Sequence, residues 1–275
     1  MFASYLIGLR EGLEATLVVS VLVAFLVKSD RTDKLPHVWA GVLGAVALSV
    51  GFGAVLTFTA ANLGHTGQEL FDAITSLLAV VFVTWMIFWM RRAARALSGE
   101  LRGKLTDALE MGSLAVVVMA FLAVAREGLE TALLFFASVQ GATTTAQPLI
   151  GISLGLLTSV ALGYGLYKSA VRINLTTFFT WTGLLLILVA AGIFKYGVHD
   201  LQEAAILPGL NTYAFDVTGA LPPDSWYAAL LAGMLNITPQ PSVLETAAWV
   251  VYVIPTLFFF LRPSRPKKLA PAPVA

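Results

Sequence analysis

The chain has 275 residues, 58% of them hydrophobic and only 12% charged, with a formal net charge of +1 and a mean hydropathy of +0.83. Soluble domains carry about 25% charged residues, so this composition excludes an ordinary soluble domain and places the chain in a membrane. Cysteine is absent, which excludes disulfides, thiolate metal sites and cysteine nucleophiles, and three histidines (His37, His65, His199) are too few for a histidine-rich metal cage.

A spanning helix needs about 20 apolar residues. Seven segments qualify, at about 4–27, 37–61, 70–90, 112–137, 148–167, 177–197 and 244–262. The first is expected to be retained, because a cleaved secretory signal opens with a basic stretch and no Lys or Arg precedes Arg10. It contains the pentapeptide Arg10-Glu11-Gly12-Leu13-Glu14, and Lys28, Arg31 and Lys34 follow it. Glu69 and Asp72, three positions apart, open the third segment. The basic connector at 91–110 reads as a topogenic, solvated loop, with an interfacial helix as the alternative. The fourth segment repeats the pentapeptide as Arg126-Glu127-Gly128-Leu129-Glu130.

The fifth segment carries Gly151-x-x-x-Gly155, a spacing that permits close helix contact and reads as packing. The sixth ends near Lys195. The long segment 198–243 then reads as an outer loop containing His199, Asp200, Glu203, Asp216 and Asp224. Its apolar stretch from Ser225 to Ile237 is too short to span, so it reads as interfacial or re-entrant. Lone His65 reads as an exposed loop residue. The tryptophans, among them Trp85 and Trp89, fall mostly toward segment ends, as in an aromatic belt.

Basic residues favour the inner side of a membrane. They cluster after the first segment, after the third (Arg91, Arg92, Arg95, Arg102, Lys104), after the fifth (Lys168, Arg172) and in the tail (Arg262, Arg265, Lys267, Lys268). The other connections lack them, apart from Lys195. The chain is therefore expected to be an all-α membrane protein of seven transmembrane helices, N-terminus outside and C-terminus inside. The pentapeptides lie on oppositely directed helices, which makes an inverted 3+3 repeat plus one helix. Repeat one covers about 1–90, repeat two about 112–197 and helix seven about 244–262, all in one transmembrane domain (1–262) ahead of a short basic cytoplasmic tail (263–275). Inverted repeats place binding sites near the midplane, at the repeat interface.

An ionised side chain near a bilayer centre costs a few kcal/mol on insertion scales. Residues three and four apart share a helix face, so Glu11, Glu14 and Arg10 are neighbours, as are Glu127, Glu130 and Arg126. Glu14 and Glu127 each lie roughly 15 Å from the outer end of their helices at the helical rise. If the helices meet, four carboxylates and two guanidiniums share one level with a net charge of −2. Carboxylates are hard ligands and suit a hard or borderline cation. The arginines hold their geometry through charged hydrogen bonds, and Gly12 and Gly128 leave room for an ion or a partner helix. The alternatives are ion pairs that only join helices, as in a non-transporting scaffold or sensor, and a proton relay or proton-linked transporter of another divalent cation such as manganese. Glu69, Asp72, His199 and Glu203 form a candidate outer-mouth access site that concentrates cations. No phosphate-binding glycine loop, His-Glu-x-x-His or Gly-x-Ser-x-Gly is present, so no enzyme activity is expected.

The doubled Arg-Glu-Gly-Leu-Glu resembles the paired signature of the oxidase-dependent iron permeases. Gln68-Glu69-Leu70-Phe71-Asp72 leading to Trp85-Met86-Ile87-Phe88-Trp89-Met90 is similar to that family's third helix, and Gly197-Val198-His199-Asp200-Leu201-Gln202-Glu203-Ala204 to its sixth-helix exit. The resemblance covers about residues 1–262. It implies inward iron transport, ferrous or ferric, across a plasma membrane, with Glu11, Glu14, Glu127 and Glu130 as the iron-handling carboxylates and Arg10 and Arg126 beside them. Iron is then the substrate, with no permanently bound cofactor and no nucleic-acid partner. It also implies an extracytoplasmic redox partner, a multicopper oxidase or a haem peroxidase with a metal-binding protein. Family members often have glutamate at the position of Asp72, which bears on its share in the outer mouth. The short basic C-terminus, without a long acidic tail, looks bacterial and points to the inner membrane.

Overall fold

Helix is the form an apolar chain takes where no water can satisfy its backbone groups. The computed structural model describes residues 1–93, 97–140, 146–168, 175–222, 225, 228, 231–232 and 236–262. These form α1 (Phe2–Lys28), a short 3-10 turn (Thr32–Lys34), α2 (Leu35–Ala61), α3 (His65–Ala93), α4 (Leu97–Met111), α5 (Ser113–Gln140), α6 (Ala146–Tyr167), α7 (Leu175–Glu203) and α8 (Val243–Leu261). Among the described residues there is no strand, only an isolated antiparallel bridge between Tyr213 and Ser242. Among the described residues five helices (α2, α3, α6, α7 and α8) are long and apolar enough to cross a membrane. Their outer faces expose Phe58, Val81, Leu157 and Val251, each more than 60% accessible. Apolar surface on that scale suits a lipid surround.

The packing follows a pairing pattern. α1 lies along α6, α2 along α5, and α3 along α7, while α1 also meets α5. Exchanging α1–α3 with α5–α7 leaves this set of pairs unchanged. Small residues set the closest approaches. Gly8 faces the Ile152 carbonyl and Gly155 faces the backbone of Tyr5 and Leu9 across α1 and α6; Gly41 faces the backbone of Val117 and Phe121 across α2 and α5. Gly12 meets Ser159 and Gly128 meets Ser49, one contact in each pair. The room beside both pentapeptide glycines is thus filled by a partner helix. A side chain at Gly155 would drive into backbone that cannot yield. Gly155→Leu is expected to cost about 3 kcal/mol and to abolish the monodisperse detergent-solubilised species, read by size exclusion and thermal unfolding.

α1 and α5 run antiparallel at the centre. The Ser4 hydroxyl lies 2.8 Å from that of Ser138 near one end, and Lys34 Nζ donates to Ser113 Oγ at the other, over 2.9 Å. One apolar cluster includes Ile7, Leu13, Met86, Leu134 and Ile187, and the other includes Val18, Leu22, Val38, Leu105 and Val124. In both central helices the pentapeptide falls at the seam between the two.

The connector expected to be a solvated loop is instead α4. Leu101, Leu105 and Ala108 bury a stripe against α1 and α5. Their spacing is one helix face, which outweighs the polarity of the segment as a whole. The outer loop is also shorter than the sequence suggests. α7 continues through Glu203, so His199, Asp200 and Glu203 stand on its last turns. His199 is met by Glu245 on α8, and Asp200 is buried within the protein rather than standing in a loop in water. The return to α8 dips back along α7: Asn236 Nδ2 donates to the Gly192 carbonyl over 3.1 Å. Asn236 has φ of +51°, a left-handed conformation that asparagine tolerates. Arg95, Arg172, Asp224, Arg265, Lys267 and Lys268, most of the apolar stretch before Ile237, the tail from 263, and the side chains of Arg91, Arg92 and Arg102 lie outside the described residues.

Candidate metal centre

Glycine and leucine separate the glutamates of each pentapeptide, so one helical turn presents both acids on one face. Every one of the four is buried: Glu11, Glu14, Glu127 and Glu130 are at most 9% exposed. Glu11, Glu14 and Glu127 each bring a carboxylate oxygen within 4.8 Å of the others. Oxygen ligands of a single ion, each about 2.0–2.6 Å from it, are at most about 5.2 Å apart, so this trio has the dimensions of one cation site.

Arg10 Nε is 3.2 Å from Glu14 Oε1, and Arg126 Nε donates to Glu130 Oε1 over 3.0 Å. Each arginine therefore takes the second glutamate of its own helix. Among the described contacts Glu11 and Glu127 have no arginine partner, and neither oxygen of Glu11 has a hydrogen-bond partner. Glu130 stands beside the trio, held by Arg126.

The two halves differ at the arginines. Arg10 is 1% exposed. The Arg126 side chain is about a third exposed, and its guanidinium lies over the rings of Trp89 and Trp85, 4.2 and 5.2 Å from their centroids. Trp85 and Trp89, read from sequence as belt residues, thus hold the second arginine. No sequence signal marked this role beyond their four-residue spacing. A cation–π contact is worth about 0.5–2 kcal/mol. Trp89→Leu is expected to weaken iron uptake by roughly 2- to 30-fold on that scale, while Trp89→Phe keeps most of it; initial rates of radio-iron uptake in cells check this. A cleft of about 570 Å³, lined by Trp89, Leu101, Lys104, Asp107 and Met119 among others, runs between α4 and α5 to Arg126 and Glu127.

Of the residues expected at the outer mouth, Glu69 and Glu203 converge, while Asp72 and His199 are not part of their cluster. Asp72 is buried on α3 beside the Gln140 side chain. Both nitrogens of His199 face carboxylates: Nδ1 is 2.9 Å from Glu245 Oε1 and Nε2 is 3.3 Å from Glu203 Oε1. Asp200, named from the sequence only as an acid of the outer loop, joins them instead; one of its oxygens lies within 4.8 Å of both Glu69 and Glu203. His65 opens α3, largely exposed, 3.9 Å from Glu69.

Lys195, the one basic residue out of place in the charge alternation, is buried. Its Nζ donates to the Asn236 carbonyl (2.7 Å) and Thr238 Oγ1 (2.6 Å) and lies 3.4 Å from Glu245 Oε2. Its charge is answered within the protein. Glu245 follows Ser242, whose hydroxyl caps α8 by accepting from the Glu245 N–H over 3.1 Å. This is a Ser-x-x-Glu start with the glutamate diverted to Lys195 and His199.

No solved structure matches the chain. It is 40% identical over 268 residues to the ferrous iron permease EfeU of Escherichia coli O6:H1 (strain CFT073), covering 96% of this chain and 97% of that one. It is also 40% identical to a putative inactive ferrous iron permease EfeU of Escherichia coli K12 over the same shares, and 35% identical to the ferrous iron permease EfeU of Yersinia pestis over 96% of this chain and 95% of that one. The family model described as "Iron permease FTR1 family" matches residues 1–265. The chain belongs to the FTR1 iron permease family.

Proposed function

We propose that this permease moves iron inward across a bacterial inner membrane, through a site formed by Glu11, Glu14, Glu127 and Glu130 with Arg10 and Arg126 as supporting charge. The observation that carries the reading is the meeting of Glu11, Glu14 and Glu127 oxygens within 4.8 Å across the two central helices. Four carboxylates and two guanidiniums leave two surplus negative charges. A low-dielectric site does not hold such a surplus without compensation, and one divalent cation cancels it. Ferrous iron fits this balance, in keeping with the ferrous role named for the relatives. Ions that serve only to join helices would not need the unpartnered carboxylate of Glu11.

All seven long helices span in this reading, with the N-terminus outside and the C-terminus inside. α1–α3 and α5–α7 are the inverted repeats and α8 is the addition. Its supports are the alternation of basic connections, the antiparallel course of α1 and α5, and helix pairing that survives exchange of the two halves. α1 and α5 span despite their charges because protein, not lipid, surrounds the pentapeptides. Glu69, Asp72 and Glu203 attract iron at the outer mouth, with His199 orienting Glu203. Asp72 and the buried hydroxyl of Ser76 line α3 below them. The cleft beside α4 is the inner way out from Glu127. An extracytoplasmic redox partner, haem peroxidase or multicopper oxidase, works with a metal-binding protein to supply the iron.

Hard oxygen donors do not by themselves separate iron from manganese, so the test compares them. Radio-iron flux into liposomes containing the purified chain is measured with ferrous and ferric iron and with Mn²⁺ and Zn²⁺ as competitors. Expected is saturable ferrous flux well above ferric flux. Flux no greater than in protein-free liposomes for both forms overturns the reading, and flux of Mn²⁺ in preference to iron reassigns the substrate.

A further inference from the structure

A second set of acids, remote from the pentapeptides, has the features of a ligand site. Asp200 stands on the last turn of α7, three residues before Glu203 and on the same face. It is fully buried, and neither of its carboxylate oxygens has a hydrogen-bond partner. Burying a carboxylate without a partner costs several kcal/mol, so the fold holds Asp200 at the ready for something that the other side chains do not supply. One oxygen each from Asp200, Glu203 and Glu69 on the facing helix α3 lie within 4.8 Å of one another.

The basic groups on this stretch of α7 are already engaged. Lys195 is held by Glu245, Asn236 and Thr238, and His199 bridges Glu245 and Glu203. The inner site has a guanidinium for each half; here no arginine answers the three acids among the described contacts. The donors are all oxygen, which selects a hard or borderline divalent cation over a soft one. The Glu203 side chain is about two-fifths exposed, so water can complete the coordination and the ion can exchange. Gln140, beside Asp72, is thirteen positions along α5 from Glu127, or about 20 Å at the helical rise. This separates the two sets.

We propose that Glu69, Asp200 and Glu203 form a second, discrete divalent-metal site at the outer ends of α3 and α7, with Asp200 as its fixed ligand and His199 as the residue that positions Glu203. The site fills before the inner one and hands its ion inward. This staging role rests on the reading of the chain as a permease; the binding of metal does not.

Mn²⁺ alone is the probe, counted by equilibrium dialysis and electron paramagnetic resonance on the full chain in lipid nanodiscs. The wild type is expected to bind two ions. Asp200→Asn, which keeps the shape and removes the charge, is expected to bind one. The pair Glu14→Gln and Glu127→Gln is also expected to bind one, and all three changes together none. Glu203→Gln, at the exposed end where folding is least at risk, is expected to weaken the outer ion at least about tenfold, as for loss of one charged contact. His199→Gln should broaden the resonance of the outer ion without removing it. Unchanged Mn²⁺ counts in Asp200→Asn and unchanged affinity in Glu203→Gln overturn the proposal. So does a wild type that binds one ion and loses it with the inner changes. If instead the inner changes leave the count at two while Asp200→Asn lowers it, the inner-site reading fails and the outer site stands.

Discussion

Replacing Glu14 and Glu127 together by glutamine is expected to lower iron flux by at least about 100-fold while folded protein persists in the membrane. Each substitution keeps size and hydrogen-bonding capacity and removes one negative charge. The pair removes the whole surplus of the site, leaving nothing for a divalent cation to neutralise, and removes two of the three oxygens that meet within 4.8 Å. Changes to the groups that merely orient metal ligands cost 10–100-fold, so loss of ligands sets a floor near the upper end of that range. Flux in proteoliposomes, alongside the yield of monodisperse protein, checks this. Flux within threefold of the wild type would remove the paired glutamates from the transport path.

Arg10→Met is expected to be the more damaging change to the fold. Arg10 is almost wholly buried and paired with Glu14. Removing one partner of a buried pair costs about 3–5 kcal/mol, because the remaining charge has no water to return to. That is a large share of a typical stability of about 5–15 kcal/mol, so expression should collapse. The combination Arg10→Met with Glu14→Gln should recover folded protein, since a pair replaced as a pair is close to neutral. It should not recover transport, because a ligand is gone. Arg126→Met should cost less folded protein, as the Arg126 side chain is about a third exposed and water can take over part of the pairing of Glu130. Equal loss of protein for the two arginines would contradict the asymmetry that Trp85 and Trp89 create. Thermal unfolding in detergent separates these outcomes.

The pentapeptides were legible because charge in an apolar run is a strong signal, and helical spacing alone puts Glu11 beside Glu14 and Glu127 beside Glu130. Their meeting was legible in outline from depth and direction. Which acids converge was not. That depends on Arg126 being drawn to Trp89 on α3, a contact between residues 37 positions apart. Asp200 was hidden for a related reason. A polar run at the end of an apolar segment reads as a loop, and only the facing helix α3 shows that Asp200 and Glu69 belong together. α4 was misread because its charges outnumber its apolar stripe. Leu101, Leu105 and Ala108 needed α1 and α5 in place to become a buried face. Lys195 looked like an exception to the charge rule until its partner Glu245, 50 positions away, came within 3.4 Å.

Iron K-edge X-ray absorption on the purified chain loaded with one equivalent of ferrous iron, with Asp200→Asn present to silence the outer acids, probes the carboxylates of α1 and α5 directly. An all-oxygen first shell at about 2.0–2.2 Å with carboxylate carbons behind it, lost on adding Glu14→Gln and Glu127→Gln, is the expected spectrum. A shell containing nitrogen, or one that those two substitutions leave unaltered, would mean that the central helices do not hold the ion.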